Sequence, residues 1–437
     1  MGFWSSKRRR VVVIGLDGVP HSFIRGMINA GEFPNFKVLL PEGSLTRMGS
    51  TIPCVSSVAW SSYMTGRNPG KHNIYGFVDR DPKSLDIYIP TSKNMGCQTL
   101  WETLGQQGKR VLVINVPLTY PPRPVNGILV GCFLCMNIDK VAYPRELSQT
   151  LKTMGYRIDA DARQARTNEA SFLEDLHETL RKRVEIGLHL YDKEEWEFFQ
   201  LHIMETDWMN HFFWDGWVDE TSLRREAFFT FYREVDHALG EIVKKIDPGS
   251  ELIVLSDHGF CSTRKEINLN CWLKEKGWLR LQGEASQDLK AIHPASKAYS
   301  LLPGRVYLLG ENESNKKHFE KELVSSLLGL LDPSNGVAVI QKVCRREEIY
   351  QGPYQMNGPE LVAIPSPGYD LKGNLTASQW AVESEMKGMH TDDDAFLYIR
   401  NHPLKRERAE ISDLYPTILS MMKISPEKDV DGVSLIS

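Results

Sequence analysis

The strongest constraint on this chain is a run of six apolar residues, Val11–Leu16, that ends abruptly in Asp17-Gly18. A segment with no polar face fits a parallel strand covered on both sides, and the Asp-Gly pair marks the turn that leaves it. Comparable runs recur at 111–116, 128–130, 198–203 and 252–255, with helical patterns at 100–108, 172–191 and 223–246 between them. In the last of these Phe228, Phe231, Tyr232, Val235, Leu239, Ile242 and Ile246 share one face, and Asp247-Pro248-Gly249 stops the helix. Strands alternating with helices predict an α/β fold, a mostly parallel central sheet flanked by helices on both faces. Two stretches break that rhythm. Residues 81–95 are polar and irregular, and are expected to loop over a site. Residues 261–385 are rich in charge and turns, and are expected to form a cap or lid inserted into a single domain spanning 1–437.

At 437 residues the chain is long for one domain, although α/β enzymes often reach this size around one sheet. Its 41% hydrophobic and 25% charged residues are ordinary for a globular protein. The 52 basic residues against 56 acidic ones leave a formal charge of −4, which argues against a nucleic acid polymer as partner but leaves a small nucleotide open. Seven cysteines, at 54, 97, 132, 135, 261, 271 and 344, are too sparse and irregular for a disulfide framework. Cys132 and Cys135 form a lone C-x-x-C in the apolar run 128–136 and read as buried residues at a strand end. A reducing cytoplasm fits. There is no signal-peptide core and no apolar stretch of membrane length. The first ten residues are basic; Gly2 with Ser6 formally matches a myristoylation pattern, and a frayed terminus is the default reading. Nothing in the sequence fixes the oligomeric state.

The chemistry lies where acids follow strands. Asp17 follows VVVIGL, Asp207 follows FFQLHIMET, and Asp257 follows ELIVLS. In an open parallel sheet ligands gather beyond the carboxyl ends of the strands, so three distant segments can deliver carboxylates to one crevice. Two of them also bring imidazoles: His258 follows Asp257, and His211 lies four residues after Asp207. Oxygen and imidazole donors suit zinc, and also manganese or iron. Taken singly, each piece has a bland reading as a turn, a helix cap or a surface histidine. The repeated strand–acid–histidine order favours metal binding. The nine histidines other than His211, His258 and His390, among them His72 and His202, carry no functional reading.

A second segment, Ser50 to His72, joins an extended stretch bearing Pro53 to a helix expected to begin near Ser56 or Ser57. A hydroxyl there would sit at the positive end of a helix, where phosphate binds well, and a metal ion could activate it as a nucleophile. The alternative is a serine that merely caps the helix. Downstream, Val58, Ala59, Trp60, Tyr75 and Phe77 offer an apolar, aromatic wall. Arg67, Arg264 and Lys265 are candidate charge partners for substrate.

In order, the chain carries Asp17-Gly18, Pro53…Ser56…Ala59-Trp60…Thr65-Gly66…Pro69-Gly70…His72, Thr206-Asp207…His211-Phe212-Phe213-Trp214, Ser256-Asp257-His258-Gly259-Phe260, Gly388…His390, Asp413-Leu414-Tyr415-Pro416-Thr417 and Asp431-Gly432. This set resembles the type I phosphodiesterase/nucleotide pyrophosphatase family of the alkaline phosphatase superfamily, over nearly the whole chain. The resemblance implies an alkaline phosphatase-like fold and two divalent metals. Asp17, Ser56, Asp257 and His258 would hold one, and Asp207, His211 and His390 the other. Counting back from Thr65-Gly66 sets Ser56 at the family's nucleophile position. The implied reaction is hydrolysis of a phosphodiester or nucleotide pyrophosphate in two in-line displacements through a phosphoseryl intermediate. Phosphonate hydrolysis, phosphomonoesterase activity on the same metal pair, and a metal-bound regulatory protein without turnover are the alternatives. Where nucleotide-cleaving relatives carry Asn three positions after the nucleophile, this chain has Ala59. The Cys-x-Pro-x-Arg pattern of the sulfatase branch is absent at Cys54-Val55-Ser56-Ser57-Val58.

Overall fold

Val11–Leu16 forms the strand on which the body is organised, and its alternation explains why it tolerates no polar residue. In the computed structural model, which describes residues 9–283, 286–310 and 312–437, Val12, Ile14 and Leu16 enter one apolar core and Val11 and Val13 enter another on the opposite face of the sheet. This strand pairs in parallel with Phe198–Ile203 on one side and Glu251–Leu255 on the other. Val111–Ile114 and Gly127–Val130 continue the parallel array beyond Phe198–Ile203. Antiparallel strands, Ala395–Arg400 on one side and Ala142–Tyr143 on the other, extend it toward the edges of a nine-stranded mixed sheet.

Helices cover both faces. Glu169–Lys193 and Arg225–Lys245 pack on the core that holds Val12, while Ser56–Thr65, Leu100–Gln106 and Leu414–Met421 pack on the other. The α/β class with helices on both faces, expected from the sequence, is what the structure has. No helix among the described residues is long and apolar enough to cross a membrane. The Gly2–Ser6 pattern lies outside the described residues.

Beyond Glu251–Leu255 the chain leaves the body through Gly259–Ser262 and returns through Gly388–Thr391, and these two strands pair antiparallel. The residues between them build a three-stranded and a four-stranded sheet, with the helix Glu313–Leu328 packed alongside. These elements share a separate apolar cluster containing Trp272, Tyr299, Phe319 and Leu323. Segment 81–95 does not cover the site as the sequence suggested. It carries a short hairpin in which Asp79–Arg80 pairs with Ile87–Tyr88. Its Leu85 packs on the cluster around Trp272, and the adjoining Arg80 guanidinium lies 3.9 Å from the Tyr307 ring centroid. Apolar contact and a cation–π stack hold it against the excursion and away from the cavity.

Candidate active site

Three parallel strands lying side by side end at one crevice, and the residues that follow them meet there. Asp17 follows Leu16, which pairs with Ile203; Asp207 follows Ile203 on the helix Glu205–Phe213; and Asp257 follows Leu255. The one-helical-turn spacing puts Asp207 and His211 on the same face, with Asp207 Oδ2 3.5 Å from His211 Nε2. His390 arrives from Gly388–Thr391, where antiparallel pairing sets it opposite Phe260. The candidate ligating atoms fall into two groups, Asp17 with Asp257 and His258, and Asp207 with His211 and His390, each group lying within 4.8 Å. The rings of His258 and His390 stack at 3.7 Å, so the groups abut.

Gly18 is required at this crossing. Its φ is +66°, and a Cβ there would lie 2.6 Å from the Phe260 ring and 3.0 Å from both Asp207 Oδ1 and His258 Cε1. Its N–H donates to Asp257 Oδ1 at 3.1 Å. The carbonyls of Asp17 and Gly18 accept from Thr206 Oγ1 at 2.7 Å and Asn210 Nδ2 at 2.9 Å. A turn that looked unremarkable in the sequence is therefore pinned from three sides.

Burial and mutual repulsion dominate the electrostatics. Burial, and then the nearby Asp207, push the Asp17 carboxyl up to about 8. Burial and then Asp17 push Asp257 well above the carboxylate range. Burial acts to raise Asp207 as well, but the imidazoles of His211, His390 and His258 outweigh it and hold that carboxyl low. Burial drives His258 and His211 down, leaving neutral imidazoles with lone pairs to offer. Asp257 Oδ2 is buried and makes no hydrogen bond among the described residues. The buried Asp207 Oδ1 has His390 Nε2 3.2 Å away; burial acts to lower the His390 pKa, and this contact raises it. Three clustered acids, two of them with a poorly satisfied buried oxygen, beside the neutral imidazoles of His211 and His258 form a donor set short of positive charge. Divalent cations fit it.

The helix Ser56–Thr65 begins at Ser56, with Val55 as its N-cap and no side-chain cap hydrogen bond. Ser56 is thus free of the capping role. Its Oγ donates to Asp17 Oδ1 at 3.1 Å and lies 3.1 Å from His258 Nε2. Ser57 Oγ is buried and makes no hydrogen bond among the described residues. Of the two serines only Ser56 lines the cavity that opens over the site, a space of about 670 Å³.

The aromatic wall differs from the expectation. Trp60 is fully buried in the body core, and its indole N–H donates to Asp17 Oδ2 at 3.0 Å. Tyr75 is buried against Tyr350 and donates to the Tyr354 carbonyl. Phe77 does line the cavity, joined by Phe133 and Trp208. Arg67, Arg264 and Lys265 do not. Arg67 is held by Glu427 and Asp429, and Lys265 lies 2.7 Å from Asp332. Sequence reasoning missed His202, whose Nε2 lies 2.8 Å from Asp17 Oδ2. A signal existed: His202, with Gln200, interrupts an apolar central strand, and it lies directly opposite Gly15. A Cβ at Gly15 would lie 2.7 Å from the Trp60 ring and 3.1 Å from His202, so that glycine makes room for both partners of Asp17.

A mixed sheet that gathers acids and imidazoles at its strand ends is the architecture of an alkaline phosphatase-like hydrolase. Residues 11–393 match the family "Type I phosphodiesterase / nucleotide pyrophosphatase", and the chain belongs to it. It is an enzyme of the class that hydrolyses phosphate esters or phosphonates with the aid of metal ions. No curated protein matches the chain. Among solved structures, phosphonoacetate hydrolase from Sinorhizobium meliloti 1021 in complex with phosphonoformate superposes with a TM-score of 0.65 at 18% identity, covering 95% of each chain. Human ectonucleotide pyrophosphatase / phosphodiesterase 5 superposes with a TM-score of 0.60 at 14% identity, covering 97% of each. Its murine counterpart gives a TM-score of 0.59 at 14% identity, covering 98% of this chain and all of that one. Identities this low carry the fold alone.

Proposed function

We propose that this protein hydrolyses monoanionic phosphodiesters at a two-metal site, with Ser56 as nucleophile. In this reading Asp17, Ser56, Asp257 and His258 hold one ion and Asp207, His211 and His390 the other, zinc being the first choice and manganese or iron the alternatives. Two ions bound there would supply the Lewis acidity that makes a serine hydroxyl nucleophilic and offsets charge on the phosphoryl oxygens.

The observation that carries the proposal is the setting of Ser56. Its hydroxyl touches Asp17 and His258, begins a ten-residue helix, and opens into the cavity. The positive end of that helix favours a phosphoryl group beside Ser56. Attack of Ser56 Oγ on phosphorus forms a phosphoseryl ester and breaks the bond to one alcohol, which leaves with a proton. Water then attacks phosphorus, restoring the serine hydroxyl and releasing the monoester. Asp17 is itself positioned by Trp60 and His202, so Ser56 is aimed by a carboxylate with little freedom.

Charge favours a diester. Outside the proposed ligands, the cavity wall bears Asp370, Asp392 and Asp393 against Lys342 and Lys372, and Lys372 lies 2.5 Å from Asp370. No arginine among the described residues lines it. A dianionic monoester or a carboxylated phosphonate would meet little compensation. Residues 261–385 act, in this proposal, as a cap inserted in a single catalytic domain. All seven cysteines are free, which fits a reducing cytoplasm.

The test compares kcat/KM for matched aryl diesters, aryl monoesters and phosphonates on one metal-reconstituted preparation. Diesters are expected to lead. A monoester or phosphonate preference of roughly tenfold, about 1.4 kcal/mol in the transition state, overturns the assignment.

A further inference from the structure

We propose that the cavity over Ser56 selects phosphodiesters whose second substituent is a flexible apolar chain, in preference to nucleotides. This rests on the diesterase reading above and specifies its substrate class.

The space of about 670 Å³ is far larger than a phosphoryl group with a small ester needs, and it falls in the range of sites that enclose a whole organic ligand. Its buried wall is aliphatic and thioether in character. Met204 comes from the residue before the Asp207 helix, Met389 sits beside His390, and Val362, Ala363 and Leu371 come from the strands of the excursion. Unbranched methionine side chains re-pack around chains of variable shape. The site's metal-facing groups and this wall share one continuous cavity, so a substituent on phosphorus must lie against it.

Recognition of a nucleobase would call for polar groups inside that wall. Apart from the proposed ligands, the amide and charged side chains lining the cavity are Gln341, Lys342, Asp370, Lys372, Asp392 and Asp393, and every one is exposed or half-exposed. Gln341, Lys342 and Asp393 are exposed, and the half-buried Asp370 and Lys372 are taken up by each other at 2.5 Å. Trp60 and Tyr75 are buried outside the cavity. Of the aromatic side chains that do line it, Trp208 already stacks on Phe212 and donates its N–H to Asp159, and Phe77 and Phe133 pack edge to face on each other at 5.5 Å. Outside the proposed ligands the wall carries three acids against two lysines, which also disfavours the extra charge of a pyrophosphate. An uncharged alkyl or acyl chain meets none of these obstacles and gains from leaving water.

The test uses the metal-reconstituted full chain and a series of p-nitrophenyl alkyl phosphates, methyl to octyl, with the p-nitrophenyl ester of thymidine 5′-phosphate for comparison. We expect kcat/KM to rise roughly threefold per methylene until the cavity is filled, and the octyl ester to exceed the thymidine ester by about tenfold or more. Ile364→Asp, in the half-buried part of the wall, should flatten the chain-length slope. Calorimetric binding of n-alkylphosphonates, methyl to octyl, gives a second readout, with Kd falling as the chain grows. If the methyl ester is turned over but neither kcat/KM nor Kd depends on chain length, the chain-selective cavity is refuted while the diesterase stands. A better thymidine ester refutes it too. If no diester is hydrolysed yet alkylphosphonates tighten with length, the apolar subsite stands and the diesterase assignment falls.

Discussion

His202 Nε2 lies 2.8 Å from Asp17 Oδ2, the oxygen that also accepts the Trp60 indole N–H. Burial pushes the His202 imidazole down to about 3, so it is neutral, and in the tautomer protonated at Nε2 it donates to Asp17 Oδ2 once that carboxyl is ionised by a bound cation. Partners of this kind set the orientation and basicity of a ligand, and their loss typically weakens metal affinity about 10- to 100-fold. Trp60→Phe and His202→Gln should each raise the metal Kd within that range, measured by chelator competition. Unchanged Kd values in both variants would refute the positioning role.

Metal stoichiometry tests the two donor groups directly. Elemental analysis after zinc or manganese loading should give two ions per chain. Asp257→Asn and His211→Ala should each leave about one tightly held ion, because each removes a ligand from a different group. Saturating metal should also raise Tm, and chelation should lower it, since the ions bind only the folded chain. A single ion in the wild type under saturating metal would overturn the two-metal site.

Replacing the proposed nucleophile separates the adjacent serines. Ser56→Ala should abolish the phosphoseryl intermediate and cut kcat by roughly 10³-fold or more. Ser57→Ala removes a buried hydroxyl that makes no hydrogen bond among the described residues, so activity should stay within a few-fold and stability should hold or rise slightly. Trapping a phosphoprotein from radiolabelled substrate distinguishes them. A labelled Ser56→Ala protein would mean the attacking residue lies elsewhere.

His72 gives a pH test clear of the metal groups. It is fully buried: its Nδ1 accepts the Ile74 N–H at 3.2 Å, and its Nε2 lies 3.0 Å from Ser62 Oγ. Burial pushes it down to about 3, whereas in the unfolded chain it titrates near 6.5. The unfolded state therefore binds the extra proton first. The stability His72 contributes is present above about 6.5 and is lost as pH falls from there toward 3. In His72→Asn, whose amide oxygen can still accept from Ile74, the acid limb of Tm against pH should be shallower than in the wild type. Parallel acid limbs would rule out His72 as a source of that slope.

The parts legible in the sequence were those where one residue type has one physical solution. An apolar run without a polar face had to be a covered strand, and an acid at the end of three such runs had to point into one crevice. The helix bearing Asp207 and His211 followed from their spacing. Trp60 was misjudged because an aromatic one turn into a helix looks the same whether it faces a substrate cavity or a core. Only the absence of a side chain at Gly15, a strand away, makes the room that turns it inward. Tyr75 and segment 81–95 were set by contacts with the excursion around Trp272, which no local pattern encodes. Arg67 finds its partners more than 350 residues along the chain, at Glu427 and Asp429.

The paired strands Gly259–Ser262 and Gly388–Thr391 act as a clasp: the chain departs and returns through neighbouring, hydrogen-bonded residues, with Phe260 facing His390. Because the two ends are already held together, the length of what lies between them costs little to change; doubling a flexible insert adds only about 0.6 kcal/mol of closure entropy. His258 and His390 belong to the clasp and its root, while Val362, Ala363 and Ile364 belong to the insert. The residues that would cleave thus lie on the body and the clasp, and much of the wall that would choose lies on the insert, which also rests on the body where Tyr350 donates to the Ile52 carbonyl and packs on Tyr75. Exchanging the insert for another of different lining that keeps the Tyr350 contacts to Ile52 and Tyr75 should redirect the specificity of this protein while the geometry around Ser56 is retained.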